Sequence, residues 1–223
     1  MDSKLFIQAI TKFIFGVLIV MALIFIPAWS LSYWQGWLLI SILFIPMFIG
    51  GLVMLFKSPD LLRKRLEGKE KEGEQKIVVI LSAIMFILSF IIAGLNYRFQ
   101  WIVLPDIVSY IAALVFLASY LLYAEVLREN VYLSRTIEVQ ENQKVIDTGL
   151  YGVVRHPMYM STLFLFLAMP LVLGSIISFV IMLAYIPIIA KRINNEEKVL
   201  EKDLNGYIDY KNRIKYKVLP FIW

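Results

Sequence analysis

The sequence predicts an all-α integral membrane protein: four transmembrane helices, then a C-terminal helical hairpin, with a small cytoplasmic β-hairpin and amphipathic tail helices. Three observations carry this. Of 223 residues, 60% are hydrophobic and 17% charged, against roughly half and a quarter in a soluble domain. A chain this small has too little interior to hide that much apolar side chain from water. The charges are also unevenly placed, leaving long stretches with none, and Lys and Arg alternate between the segments in between.

Four charge-free windows come first: 13–29, 37–56, 77–95 and 107–124, of 17, 20, 19 and 18 residues. Each matches the roughly 17–25 residues a helix needs to cross a bilayer. The first is too long for a cleaved signal peptide and leads straight into the second, so it reads as a retained span. The fifth window, 159–190, has 32 residues, which as one helix would reach about 48 Å and overshoot a core of about 30 Å. Gly174-Ser175 is its natural turn, giving arms 159–173 and 176–190, with Pro170 and Pro187 weakening their ends.

Orientation follows from the cations. Two lie up to Lys12, seven across 57–76, four across 128–158 and eight from Lys191 onward, while the intervening short segments hold only Arg98. Twenty-one of 22 thus fall on one side, and the positive-inside rule makes that side cytoplasmic, both termini included. The net charge of +5 therefore reads as cytoplasmic loops facing anionic lipid rather than as a nucleic-acid surface. There is no cysteine and one histidine, which removes disulfides, thiolate chemistry and a transition-metal cluster.

Among the polar segments, Ser58-Pro59-Asp60 opens a short surface helix with Leu61, Leu62 and Leu66 on one face and Arg63, Lys64 and Arg65 on the other, stopped by Gly68. Residues 136–148 alternate, turn at Glu141–Lys144 and resume, the pattern of a β-hairpin. Then comes Gly149-Leu-Tyr151-Gly-Val-Val-Arg155-His156-Pro157-Met158-Tyr159. His156 precedes a proline that suits the first helical position, so it caps the hairpin's first arm. That cap would leave the N–H groups of Met158 and Tyr159 as an anion site. Ordinary interfacial anchoring explains the same residues, with Arg155 at phosphates and Tyr151 and Tyr159 in the aromatic belt. The tail adds Arg192, Glu196 and Glu197, then Leu200, Leu204, Tyr207 and Tyr210. Arg192 and Glu196 are one turn apart, and because a hairpin brings its ends together, they face His156 and Tyr159.

The combination Gly149-x-Tyr151-x-x-x-Arg155-His156-Pro157-x-Tyr159, an apolar hairpin, Arg192-x-x-x-Glu196-Glu197-x-x-Leu200, Gly206-Tyr207-x-x-Tyr210 and Leu219-Pro220-Phe221-Ile222 resembles the isoprenylcysteine carboxyl methyltransferase family and the related phospholipid N-methyltransferases. The resemblance covers about residues 130–223 and divides the chain into N-terminal transmembrane helices, 1–127, and a methyltransferase-like region, 128–223. It implies a membrane methyltransferase that uses S-adenosylmethionine without a Rossmann domain, in a pocket closed by the tail on the cytoplasmic side. By the same resemblance Gln140, Lys144, Val145, Ile146, Tyr151, His156, Pro157, Met158, Tyr159 and Glu196 are cofactor contacts, and Arg192 faces the acceptor; Arg192 and Arg155 are the catalytic candidates. The implied partners are membrane lipids and a lipid-like or prenylated small-molecule acceptor, in the cell membrane.

The acceptor's chemistry stays open at this level. A carboxylate is ionised at neutral pH and needs no base, so Arg192 would hold it in a forked pair. An amine must lose a proton, to Glu196, Glu197 or His156. Two other classes remain. A sterol-reductase-like enzyme would use Lys211, Arg213, Lys215 and Lys217 for the 2′-phosphate of NADPH. A non-enzymatic membrane scaffold would leave the two polar clusters facing lipid and water separately. Neither a Gly-x-Gly-x-x-Gly loop, a P-loop nor a nucleophile elbow is present, and no charge sits mid-span to serve an ion pump.

Overall fold

The computed structural model describes residues 3–66, 73–133, 137 and 139–223, the side chains of 73–75 aside. Described elements are helices throughout: α1 (Ser3–Ala28), α2 (Trp34–Lys57), α3 (Pro59–Leu66), α4 (Gly73–Phe99), α5 (Asp106–Glu129), a 3-10 turn (Gly149–Gly152), α6 (Pro157–Val172), α7 (Ile176–Met182), α8 (Tyr185–Asp203) and α9 (Tyr207–Arg213). Five stretches are long and apolar enough to cross a membrane: α1, α2, Lys76–Phe99 of α4, α5, and Ile176–Asp203 taken across α7 and α8. That is the make-up of a multi-pass membrane protein. Each helix outruns its charge-free window, because polar residues at the ends continue the helix into the interface.

The hairpin turns where expected. Gly174 adopts φ +68°, and the Ser175 hydroxyl caps α7 by accepting from Ser178 N–H at 3.2 Å. The second arm differs from expectation. It does not end near Ala190 but kinks at Leu183-Ala184 and runs on to Asp203. Pro187 is the reason: it has no N–H to give to the Leu183 carbonyl, so the helix restarts with the proline in its first turn, where that donor is not needed. At 16 residues α6 reaches only about 24 Å, short of a full crossing.

The expected β-hairpin is not seen among the described residues. Among the described residues there is no strand; 139–148 is irregular, with a turn closed by Gln143 N–H donating to Gln140 O at 3.1 Å. Thr136 and Glu138 lie outside the described residues, as does Gly68. The physical reason is that Val139 and Val145 pack on Leu204, Tyr207 and Tyr210 instead of alternating across a ladder. Burial against the tail outweighs local strand propensity. The short surface helix is α3 as read, with Leu62 buried against Leu5 and Leu55.

Small residues set the packing of the spans. Ala28 of α1, Ala93 of α4, Ala112 and Ala113 of α5 and Ala168 of α6 sit in one buried cluster with Ile24, Leu39, Phe116 and Val172, as expected where lipid gives helices no hydrophobic reason to associate and close approach must do it. Several polar groups of the spans are satisfied internally. Tyr33 Oη donates to Leu173 O at 2.5 Å, Ser109 Oγ to Leu171 O at 3.3 Å, and Ser178 Oγ to Ser89 O at 2.6 Å. Large apolar side chains such as Phe15, Val53, Ile80 and Leu121 point outward, the face a bilayer covers. Arg98, alone on its side, lies over the rings of Trp29 and Phe99 at 5.6 and 5.1 Å.

The α1–α4 contact has no room for a side chain at Gly94: a Cβ there would lie 2.5 Å from Ile24 O and 3.0 Å from Ala28 N. Gly94→Ala should lower the thermal stability of the detergent-solubilised protein by about 1–3 kcal/mol through overpacking. Gly50→Ala, where nothing lies within 4 Å, should be neutral or slightly stabilising. Unfolding curves of the two variants side by side check this, and equal midpoints would show that α1 and α4 separate freely.

Candidate functional site

One open cleft lies where the first turn of α6, the polar half of α8, α9, residues 143–146 and Asn130, Tyr132 and Leu133 meet. Its geometry starts from Pro157. The proline is the first residue of α6 with His156 as its cap, at φ −126° and ψ 64°, so the chain enters the helix with the His156 ring turned toward α8. The Tyr159 N–H donates to His156 O at 3.0 Å and is therefore not part of an open anion site, contrary to the sequence reading.

α8 lays two acidic residues against this turn. Glu196 accepts from the Tyr159 hydroxyl and lies 3.9 Å from His156 Nδ1. The same hydroxyl accepts from Arg192 Nε at 3.1 Å. Tyr159 thus joins the two α8 side chains that the sequence placed one turn apart. Glu197, on the neighbouring face, is buried. It accepts from Arg155 Nε at 2.8 Å, lies 3.2 Å from His156 Nε2, and meets Lys217 Nζ at 3.1 Å.

Arg155 is committed to the protein. Besides Glu197, its Nη1 donates to Ile214 O at 2.6 Å and Lys215 O at 2.8 Å. The backbone follows suit: Arg155 N–H donates to Tyr216 O at 2.9 Å and His156 N–H to Lys217 O at 2.8 Å. The C-terminal segment is thereby strapped beside the cap of α6. A guanidinium used this way holds the tail in place.

The other end of the cleft is apolar, walled by Leu133, Ile137, Val145, Leu200 and Leu204 together with Tyr207 and Tyr210. Burial pushes the hydroxyls of Tyr151, Tyr207 and Tyr210 above the ordinary tyrosine range, so all three are neutral. Tyr210 Oη donates to Tyr151 O at 2.8 Å, and Asn130 Nδ2 donates to Tyr151 Oη at 2.9 Å. The Tyr207 hydroxyl is buried and has no partner among the described residues.

Of the sequence-derived candidates, Lys144, Val145, Ile146, Tyr151, Arg155, His156, Met158, Tyr159, Arg192 and Glu196 line the cleft. Pro157 shapes the turn from behind. Gln140 is not in the lining; it accepts from Lys64 Nζ of α3 and donates to Tyr132 O, both at 2.5 Å, and so ties the loop to the surface helix. The apolar wall was missed. Leu200, Leu204, Tyr207 and Tyr210 carry the periodicity of an amphipathic face, and nothing local says that such a face covers a cleft rather than a bilayer. Of the tail cations, Lys211 pairs with Glu201 and lies 4.0 Å from Glu197, Arg213 pairs with Asp147, Lys217 pairs with Glu197 and Asn194, and Lys215 is exposed.

Residues 110–202 match the model of the isoprenylcysteine carboxyl methyltransferase (ICMT) family. The match spans 93 of the 223 residues, under half of the chain. The ICMT match takes in most of α5, the loop, the hairpin and α8 nearly to its end, and with them every polar side chain of the Tyr159–Arg192–Glu196 group; α9 and the tail that close the cleft lie beyond it. No curated protein matches the chain. With the membrane-length helices, the ICMT match supports a membrane methyltransferase of that type.

Glu197 is the residue on which the cleft's closure rests. Glu197→Ala should destabilise the protein by about 3–5 kcal/mol, since it leaves a buried arginine unpaired, and should expose the tail to trypsin beyond Arg213. Glu201→Ala removes only the partly exposed pair with Lys211 and should cost about 0–1 kcal/mol. Thermal unfolding and limited proteolysis of both variants make the check; matching effects would show the buried cluster to be incidental.

Proposed function

We propose that this chain is an S-adenosylmethionine-dependent methyltransferase acting on an amphipathic, lipid-like acceptor, most simply a carboxylate, with both termini and the cleft on the cytoplasmic face. The observation that carries the reading is the meeting of Arg192 and Glu196 on the one hydroxyl of Tyr159, at the mouth where two membrane helices end, within the span matched by the ICMT family. We further propose that residues 128–223 are the working half and 1–127 the membrane support.

The residues present fit the cofactor. A nucleoside with a zwitterionic tail needs an apolar slot and a charged end, and the cleft has both. The Tyr207 hydroxyl in the wall is a polar group with no partner among the described residues. In this reading Val145, Ile146, Met158 and the Tyr207 wall hold the flat heterocycle, and Glu196, His156 and Tyr159 hold the polar part. When bound, the cofactor supplies an electrophilic methyl group. The chain's own residues have little chemistry left to do: in-line transfer depends on positioning, and a carboxylate acceptor arrives ionised. Arg192, half-buried on α8, gives that anion a planar donor pair at the depth of a lipid headgroup. Arg155, His156 and Glu197 keep α6, α8 and the tail in register around it.

Titration of S-adenosylmethionine and S-adenosylhomocysteine into detergent-purified protein tests the reading. Glu196→Gln should weaken binding more than about tenfold, as expected for a charged hydrogen bond worth roughly 1.5–3 kcal/mol. Arg192→Ala should spare cofactor affinity yet abolish methyl transfer to a lipid-like carboxylate, and Arg192→Lys should restore little. Transfer to phosphatidylethanolamine that survives Arg192→Ala would replace the carboxylate by an amine; no binding of either nucleoside by wild type would end the methyltransferase reading.

Orientation has its own check. Single cysteines placed at Ser32 and Asn205 of this cysteine-free chain should label from opposite sides, Ser32→Cys from outside intact cells and Asn205→Cys only after permeabilisation. The reverse pattern would put the cleft on the side without cofactor.

A further inference from the structure

The last five residues form a structure that the cleft does not use. Leu219-Pro220-Phe221-Ile222 is a tight turn closed by Ile222 N–H donating to Leu219 O at 3.2 Å. Proline holds its second position and Phe221 its third, with φ +65°. That is the type II arrangement, which favours glycine at the third position. A bulky side chain there is strained, and strain of this kind persists where the surroundings over-determine it. The surroundings do: Val218 N–H and Leu219 N–H both donate to Trp223 O at 2.9 Å, and Trp223 N–H donates to Leu219 O at 3.0 Å.

This closed knuckle presents its apolar residues outward. Phe221 is 86% exposed and Ile222 80%, more than any large apolar side chain described on the membrane-length helices. Its flanks, by contrast, are anchored. Val218 is buried, and Leu219 and Trp223 pack on the cluster of Met85 from α4, Tyr159 and Leu163 from α6, and Ile189 and Ile193 from α8. The knuckle therefore stands beside the first turns of α6, where the hairpin enters the membrane. On α4, which shares that cluster, Ile77, Ile80 and Ile84 are exposed as lipid-facing residues. Tyr216 packs on the Phe221 ring at 5.3 Å, and Lys215 just before it is exposed. Two apolar side chains at a tip, aromatic neighbours and a nearby lysine are what an interfacial wedge requires.

We propose that Phe221 and Ile222 insert into the cytoplasmic boundary of the bilayer the chain spans, and that the lipid thereby holds the tail that roofs the cleft. The occupant is lipid because the knuckle continues an existing lipid-facing surface. The consequence follows from the strap already described. The segment ending in the knuckle carries the Tyr216 and Lys217 carbonyls that accept from Arg155 and His156, and the lysine that pairs with Glu197. Seating the tip fixes the strap, so the membrane becomes part of the cleft's wall without touching its contents. This inference rests on the fold and not on the methyltransferase reading, and it stands or falls separately.

The test uses the full chain in lipid nanodiscs. Phe221→Cys, Leu121→Cys on the outer face of α5 and Lys202→Cys on the polar half of α8 each receive an environment-sensitive fluorophore. Lipids brominated along the acyl chain should quench the probe at Phe221 as they do the one at Leu121 and leave the one at Lys202 bright, while aqueous iodide should do the opposite. Quenching at Phe221 by iodide alone would overturn the proposal by placing the tip in water. Protection from both quenchers would overturn it too, by showing that protein, such as a second copy of the chain, covers the tip. A second variant reads the consequence. Phe221→Gly with Ile222→Ser relieves the strained conformation, so its melting temperature in detergent should hold or rise. In nanodiscs it should lose the tail to trypsin faster than wild type. Equal cleavage there would show that lipid does not hold the strap.

Discussion

The structure depends on one buried carboxylate. Glu197 of α8 faces Arg155 before α6, His156 at its cap and Lys217 on the tail. Two segments far apart in the chain, 155–156 and the tail, are held to α8 by the same two oxygens. Removing two charges from water is expensive, and such a cluster is retained only where geometry returns the cost. Here the return is positional. With Glu197 facing inward, the neighbouring Glu196 is turned to the cleft, and Arg192 one turn earlier follows it. A helix carrying adjacent acids thus divides them by direction: one is the anchor and the other lines the cleft.

The membrane part serves this arrangement in a different way. Its helices associate through close approach at Ala28, Ala93, Gly94, Ala112 and Ala168 and through a few hydroxyls that satisfy carbonyls, because apolar surface alone gives no preference for protein over lipid. The short α6 is the piece that matters most. Surrounded by α2, α4, α5, α7 and α8, it is fixed along its length, so its first turn, with Pro157 and Tyr159, is a rigid edge for the cleft. Both side chains that meet on the Tyr159 hydroxyl come from α8, which restarts at Tyr185 with Pro187 in its first turn and continues as the cleft's floor.

The tail completes the site without belonging to the matched family span. α9 brings Tyr207 and Tyr210 over Val145 and Leu200, and the segment after it is pinned by two backbone bonds and the Glu197 cluster. Arg155, beside the cap histidine, makes its contacts inward and is the fixed post of that strap.

Much of this was legible in the residues. Charge-free runs set the spans because a bilayer penalises any charge within about 30 Å of hydrocarbon. Gly174-Ser175 marked the turn because few other pairs make one in an apolar run, and His156-Pro157 marked a helix start because proline fixes its own φ. The closeness of Arg192 and Glu196 to His156 and Tyr159 followed from the hairpin alone. What sequence could not settle was direction and competition. Residues 139–148 alternate like a strand, yet Val139 and Val145 are drawn onto the tail's tyrosines, a choice that depends on a partner some 60 residues away. Arg155 and Glu197 look like site residues from composition, but only the folded chain shows their donors and oxygens turned toward each other. The apolar face from Leu200 to Tyr210 has the same period whether it covers lipid or a cleft. Periodicity reports that a face is apolar; only tertiary packing decides what lies against it.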